Sequence, residues 1–198
     1  MRVLWLTAGI VLVDQFTKLL VKGVDLPGLG VSFPGLPYGS SRPIVGDLLR
    51  LTYIENAGMA FGFNPGGKLF FSLFTLAAAG AILLFLYHAR TERLLFRISL
   101  ALVLGGAVGN LIDRIFYERL FHDGPLFYGR VVDFLDMDFP DISLFGYALT
   151  RWPVFNVADA CVTVGVLLML FTHRRSVPAP AGETPADGPL PPADDRAA

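Results

Sequence analysis

Hydrophobic residues along this chain fall into four long blocks, at 3–21, 68–88, 96–116 and 153–172. Between them glycine, proline and charge recur. A helix crosses the hydrocarbon core of a bilayer with about 20 mostly apolar residues, and each block supplies that length. The pattern predicts an all-α membrane protein with four transmembrane helices. The first block reads as a retained helix, because Asp14 and Lys18 interrupt it and no Ala-x-Ala follows, as a cleaved signal segment would require. Residues 22–67 are punctuated by Pro27, Gly28, Pro34, Gly35, Pro37, Gly39, Pro43, Gly46, Pro65 and Gly66, which break helices and make turns. Within them 47–54 alternates enough for a short strand, so a small extracytoplasmic β-sheet lying on the membrane is expected. Residues 117–152 read as a second loop, in which Asp133 lies among Val131, Val132, Phe134 and Leu135. From Ser176 onward the chain is Pro, Ala, Gly and acids, with too little apolar surface to fold. The expected organisation is a membrane domain over 1–175 and a disordered cytoplasmic tail over 176–198.

Composition narrows the class. Hydrophobic residues make up 54% of the chain and charged residues 17%, a balance suited to hydrocarbon. The net charge of −1 leaves no basic footprint for nucleic acid. Cys161 is the single cysteine, so no intramolecular disulfide and no zinc spacing is available, and it reads as a small core or lipid-facing residue. Arg90, Arg93 and Arg97 between the second and third blocks, and Arg174 and Arg175 after the fourth, point to the cytoplasm. Both termini are then inside, and the loops 22–67 and 117–152 are outside.

Charge inside the apolar blocks carries the candidate chemistry, since an ionisable group at a helix centre costs roughly 2.5–3.5 kcal/mol or more to insert. Asp14 and Lys18 stand at i and i+4 and can pair across one turn. Asn110 and Asp113 share a face of the third block, as do Asn156 and Asp159 of the fourth. Gly105 and Gly109 form a Gly-xxx-Gly face for close helix approach. Asp159 is placed one to two turns into the last helix, and Asp133 on a loop. Asp113, Asp133 and Asp159 all come near the outer face. Two carboxylates sharing a site split their proton affinities, which suits activating water and protonating an amine. No Ser-His-Asp set is available, because His88 and His173 fall on the cytoplasmic side and His122 in a loop; no His-Glu-x-x-His motif occurs. The residues alone do not choose which two carboxylates act. A proton- or ion-conducting protein, a small transporter or a structural subunit held by ion pairs uses the same set.

Five ordered motifs then decide the reading. They are Val13-Asp14-Gln15 with Lys18; Asn56-Ala57-Gly58-Met59-Ala60-Phe61-Gly62; Gly105-Gly106 through Gly109-Asn110 to Asp113-Arg114; Val131-Val132-Asp133-Phe134; and Phe155-Asn156 to Asp159. Over about residues 10–172 the chain resembles the type II, or lipoprotein, signal peptidases, bacterial membrane aspartic peptidases. The resemblance implies four transmembrane helices in the cell inner membrane and an active site on its outer side. It implies cleavage of prolipoproteins just before a diacylglyceryl-modified cysteine, with Asp133 and Asp159 as the catalytic pair. Asp14, Lys18, Asn56, Gly58, Asn110, Asp113, Arg114 and Asn156 are implied to bind substrate or support the site. The implied partners are the diacylglyceryl-modified prolipoprotein and membrane lipid, with no cofactor, no metal, no nucleic acid and a monomeric enzyme. The chain departs from the pattern at Ala57, where the family usually has Thr, and at Met59, where Ala is common. The stretch from Phe134 to Pro153 is long, and its added Asp136, Asp138 and Asp141 read as a solvated loop.

Overall fold

The long helices form where the apolar blocks predict them. They are α1 (Leu4–Lys22), α2 (Gly67–His88), α3 (Leu94–Ile112) and α5 (Val157–His173), and a short α4 (Glu118–His122) lies in the stretch expected as a loop. The computed structural model describes residues 2–26, 28, 30–58, 67–138, 142–144, 147–149 and 151–173. Met59 to Gly62, Asp141, Arg174, Arg175 and the tail 176–198 lie outside the described residues.

Three helical runs, Leu4–Lys22, Gly67–Thr91 and Leu94–His122, are long and apolar enough to cross a membrane. The last helix is shorter than its block: α5 has 17 residues, about 26 Å at 1.5 Å per residue. It begins at Val157 and not at Pro153, because Phe155 pairs through its backbone with Leu135 and holds the preceding chain extended. Asp159 is therefore in the first turn of α5, a correction to the deeper position expected. The third run also outlasts its predicted end. α3 passes through a π-helical turn, Asp113–Tyr117, into α4. Such a turn frees carbonyls from the helical ladder, and here Arg114 and Ile115 accept from the N–H groups of Gly129 and Phe127 at 2.9 and 3.1 Å.

α3 is the central helix and packs on α1, α2 and α5. Small residues allow this. A side chain at Gly105 would meet Ile10 of α1 at 3.0 Å, and one at Gly109 would stand 2.6 Å from an Asp14 carboxylate oxygen and 3.2 Å from Ala158. The Gly-xxx-Gly face thus serves two neighbours at once. The bundle is apolar outside, with Trp5, Leu12, Phe16, Phe74, Leu84 and Phe171 exposed. Asp14, Lys18, Ser72, Ser99, Asp113 and Asn156 are fully buried. Hydrocarbon outside offers polar groups no partners, so they turn inward and satisfy one another.

The β content exceeds the single small sheet expected. Strands β1 (Val24–Leu26) and β2 (Val31–Phe33) form one antiparallel pair. Strands β3 (Ser41–Val45), β4 (Leu49–Asn56) and β5 (Val131–Met137) form an antiparallel sheet in that order. Strands β6 (Ile142–Leu144) and β7 (Tyr147–Leu149) form a second antiparallel pair. The strand expected at 47–54 is β4. Asp133, expected on a loop, is on β5 instead, opposite Ile54, while Val131 faces Asn56. The apolar run that reads as a loop in isolation becomes a strand because β4 offers it a full ladder, and Val132 and Phe134 pack with Val21, Tyr53 and Tyr117.

Candidate active site

A buried ammonium organises the end of the bundle. Lys18 has no exposed surface, and its Nζ lies 2.8 Å from Asp14 Oδ2, 2.8 Å from Asp113 Oδ2 and 2.8 Å from Asn110 Oδ1. Three N–H donors thus meet three acceptors. The carboxylates use their remaining capacity on backbone N–H groups and on Gln15. Asp14 Oδ1 accepts the N–H of Ala158 at 2.9 Å, at the open start of α5, where N–H groups lack helical partners. Asp113 Oδ2 accepts the N–H of Val132 on β5 at 3.1 Å, and its Oδ1 accepts Gln15 Nε2 at 2.8 Å. The Lys18 cluster therefore ties α1 and α3 to both elements that carry the remaining aspartates.

Three asparagines are then aimed by simple elimination. The Asn110 carbonyl oxygen takes the Lys18 proton, so its amide donates to Asp159 Oδ1 at 2.8 Å. Asn156 stands just before α5, and its side-chain Oδ1 accepts the N–H of Asp159 at 2.9 Å while its backbone N–H donates to Asp159 Oδ2 at 3.3 Å. This is a reciprocal helix cap, with Asp in the role usually taken by Glu. The Asn156 amide is thereby left to donate to Asp133 Oδ1, at 2.7 Å. Asn56 accepts the N–H of Gly58 at 2.8 Å, and its side chain favours the ionised form of Asp133. A left-handed φ of 95° at Gly58 permits that turn, which a side chain would block against Phe71 and Arg114.

Asp133 is 2% exposed. Burial, then the charge of Asp159, pushes its carboxyl up to about 7, against the opposing pull of Asn156, Lys18 and Asn56. Asp159 is half-buried and opens on a groove of about 440 Å³, lined by Met137, Trp152, Phe155, Ala160, Thr163 and Val164. Arg114 lies alongside, over the Phe71 ring at 5.8 Å, and its charge acts on Asp113, Asp133 and Asp159. Among the described residues its Nε and Nη1 are buried without a hydrogen-bond partner. Asp113, its sequence neighbour, pairs across to Lys18.

Seven of the residues expected at the site, Asp14, Lys18, Asn110, Asp113, Asp133, Asn156 and Asp159, share one continuous polar network, with Asn56, Gly58 and Arg114 against it. Gln15 and Tyr117 belong to it as well. Gln15 Nε2 reaches Gly109 O at 3.0 Å, and Tyr117 donates its hydroxyl proton to Gln15 Oε1 at 3.1 Å. Gln15 was findable as a polar residue in an apolar span, on the same turn as Asp14. Asp136 overturns the solvated-loop reading, for it is 8% exposed and paired with Arg151 at 2.9 Å.

An apolar bundle closed at one end over buried carboxylates has the build of a membrane-embedded enzyme. Two solved bacterial membrane enzymes share the fold, with TM-scores of 0.60 and 0.59 at 24% and 25% identity over 91% and 89% of this chain and 94% of each of theirs. More particularly, residues 6–174 match the family model described as signal peptidase (SPase) II, and the chain belongs to that family. The lipoprotein signal peptidase of Chlorobaculum parvum is 37% identical over 86% of this chain and 93% of its own. That of Syntrophus aciditrophicus is 39% identical over 83% and 88%.

Proposed function

We propose that the protein removes the signal peptide from prolipoproteins by hydrolysing the peptide bond before a diacylglyceryl-modified cysteine, with Asp133 and Asp159 as an aspartic dyad. The observation that carries this reading is the sharing of Asn156, whose side-chain N–H donates to Asp133 while its backbone N–H and its side-chain Oδ1 close on Asp159. Asp133, held up at about 7, carries a proton in about half of the molecules at neutral pH, and these are the active ones. Asp159 faces the groove, with N–H donors on both oxygens, and serves as the base. It takes a proton from water as the water oxygen attacks the scissile carbonyl carbon, and Asp133 donates its proton toward the carbonyl oxygen. Collapse of the tetrahedral species breaks the C–N bond: the proton held by Asp159 passes to the leaving amine of the modified cysteine, and Asp133 takes back its proton from the hydroxyl as the carbonyl re-forms. The two free donors of Arg114 suit a substrate carbonyl.

In this reading α5 crosses the membrane with the other three long helices, and both termini are cytoplasmic. Arg90, Arg93 and Arg97 lie at the start of α3 and the dyad at its other end, so the positive-inside rule puts the dyad outside the cytoplasmic membrane. The apolar groove beside Asp159 then accepts part of the lipid-modified substrate while acyl chains stay in the bilayer. The enzyme works as a monomer, with residues 176–198 as a tail away from the chemistry. A transporter is disfavoured because its site belongs near mid-membrane between repeats, and these carboxylates gather at one end. The test is incubation of the purified protein with diacylglyceryl-modified and unmodified prolipoprotein. A shortened product from the modified form alone is expected, with turnover falling as pH rises through about 7, where Asp133 loses its proton. Equal cleavage of the unmodified form, or activity lost to a chelator, overturns the reading.

A further inference from the structure

The two aspartates arrive on arms that are fastened together away from the site. After Asp133, β5 runs on to Met137, and the chain returns at Arg151 to enter α5. Backbone bonds lay the returning arm on β5. Trp152 N–H donates to Met137 O at 3.2 Å, Phe155 N–H to Leu135 O at 3.0 Å, and Leu135 N–H to Phe155 O at 2.7 Å. A side-chain clasp closes the open end. Arg151 Nε donates to Asp136 Oδ1 at 2.9 Å, its Nη1 approaches Asp138 Oδ2 at 3.6 Å, and its Nη2 donates to Asp47 O at 3.4 Å. The other Asp136 oxygen accepts the Thr52 hydroxyl of β4 at 2.7 Å. The guanidinium thus spans β5, the turn before β4 and the arm that leads to Asp159.

We infer that the Arg151–Asp136 pair is a positioning clasp that sets the separation of Asp133 and Asp159. The inference rests on the dyad reading above. Asp136 is three residues along β5 from Asp133, roughly 10 Å at 3.3 Å per residue, and Arg151 leads into the arm whose far end carries Asp159. Slack at the clasp is therefore passed to the carboxylates along two short, extended arms. Between clasp and carboxylates lies the backbone pairing of Phe155 with Phe134 and Leu135. The same arms wall the groove, Met137 from one and Trp152 and Phe155 from the other. Asp136 and Arg151 touch neither reacting carboxylate, so they act through geometry.

The sign of one titration separates this from a plain charge effect. The charged and polar groups acting on Asp133 are Asp159, Lys18, Asn156 and Asn56, with Arg114 coupled to it. Loss of a distant positive charge raises the carboxyl of Asp133; separation of Asp133 from Asp159, with water admitted, lowers it. Arg151→Gln, Arg151→Lys, Asp136→Asn and Asp138→Asn are compared in the full-length, detergent-solubilised protein, by 13C NMR titration of the Asp133 carboxyl and by kcat and KM on modified prolipoprotein. We expect Arg151→Gln and Asp136→Asn to lower the Asp133 midpoint by about one unit, a measurable fraction of its displacement, and to lower kcat about tenfold or more. Arg151→Lys, which keeps a donor for Asp136, should recover most of both, and Asp138→Asn should change neither. A midpoint that rises or stays in folded Arg151→Gln and Asp136→Asn overturns the clasp, as does Lys at 151 behaving like Gln. The titration needs no turnover. A falling midpoint in a protein that cleaves nothing therefore supports the clasp while refuting the peptidase reading.

Discussion

Replacing Lys18 with Met probes the buried hub. The substitution keeps the length of the unbranched apolar stem and removes one charge and three N–H donors. Asp14 and Asp113, both fully buried, then face each other without a counter-ion, and the Asn110 carbonyl loses its donor. Removing one partner of a buried ion pair typically costs about 3–5 kcal/mol, because the charge left behind is uncompensated. At about 2–4 °C of melting temperature per kcal/mol for a chain of this size, the loss is about 6–20 °C. Thermal unfolding of the purified protein in detergent, followed by near-UV circular dichroism, reads it. The variant Lys18→Met/Asp14→Asn/Asp113→Asn removes the stranded charges and should recover a good part of the loss. A Lys18→Met protein melting within about 2 °C of the parent, less than 1 kcal/mol on the same scale, refutes the hub. So does a triple variant no better than the single one.

Gly109→Ala should cost about 1–3 kcal/mol by overpacking, since the new methyl stands 2.6 Å from Asp14 Oδ2 and pushes on Ala158; denaturant unfolding measures it. Glu55, in β4, is opposed in ionising by burial, but hydrogen bonds from Lys22 and Tyr53 outweigh this and hold its carboxyl below its ordinary 4.5. Its stabilisation is then full above 4.5 and lost as pH falls below that value. The melting difference between parent and Glu55→Gln should shrink on acidification from pH 6 to pH 3, and a constant difference counts against the pairing. A reporter fused after Arg175 should read as cytoplasmic and one within residues 30–45 as external, and the reverse pattern sinks the outer-face site.

Much of this was legible before any coordinates. The helices at Leu4–Lys22 and Gly67–His88 begin and end within a residue of their apolar blocks, because hydrocarbon demands uninterrupted helical bonding over that length. Asp14 and Lys18 pair as their spacing requires. What resisted was decided by contacts distant in sequence. Val131–Met137 is a strand only because β4 lies beside it, and nothing local separates it from an apolar loop. The start of α5 slid from Pro153 to Val157 because Phe155 is claimed by Leu135, which freed Asn156 to cap the helix and to aim its amide at Asp133. Asp136 reads as one more surface acid until Arg151 and Thr52 close around it. The lengthening of α3 by a π turn left no trace in the hydrophobic pattern, since it is set by where Gly129 and Phe127 bond.

The most direct measurement is single-turnover cleavage of diacylglyceryl-modified prolipoprotein by Asp133→Asn and Asp159→Asn, each shown to melt like a folded protein and to bind the substrate. Asparagine keeps the shape and most of the hydrogen bonds of either side chain but can neither take nor give the proton that hydrolysis moves. Each variant should therefore hold its substrate uncleaved, while Asp138→Asn cleaves as the parent does. Cleavage by either dyad variant at a near-parental rate would contradict the account.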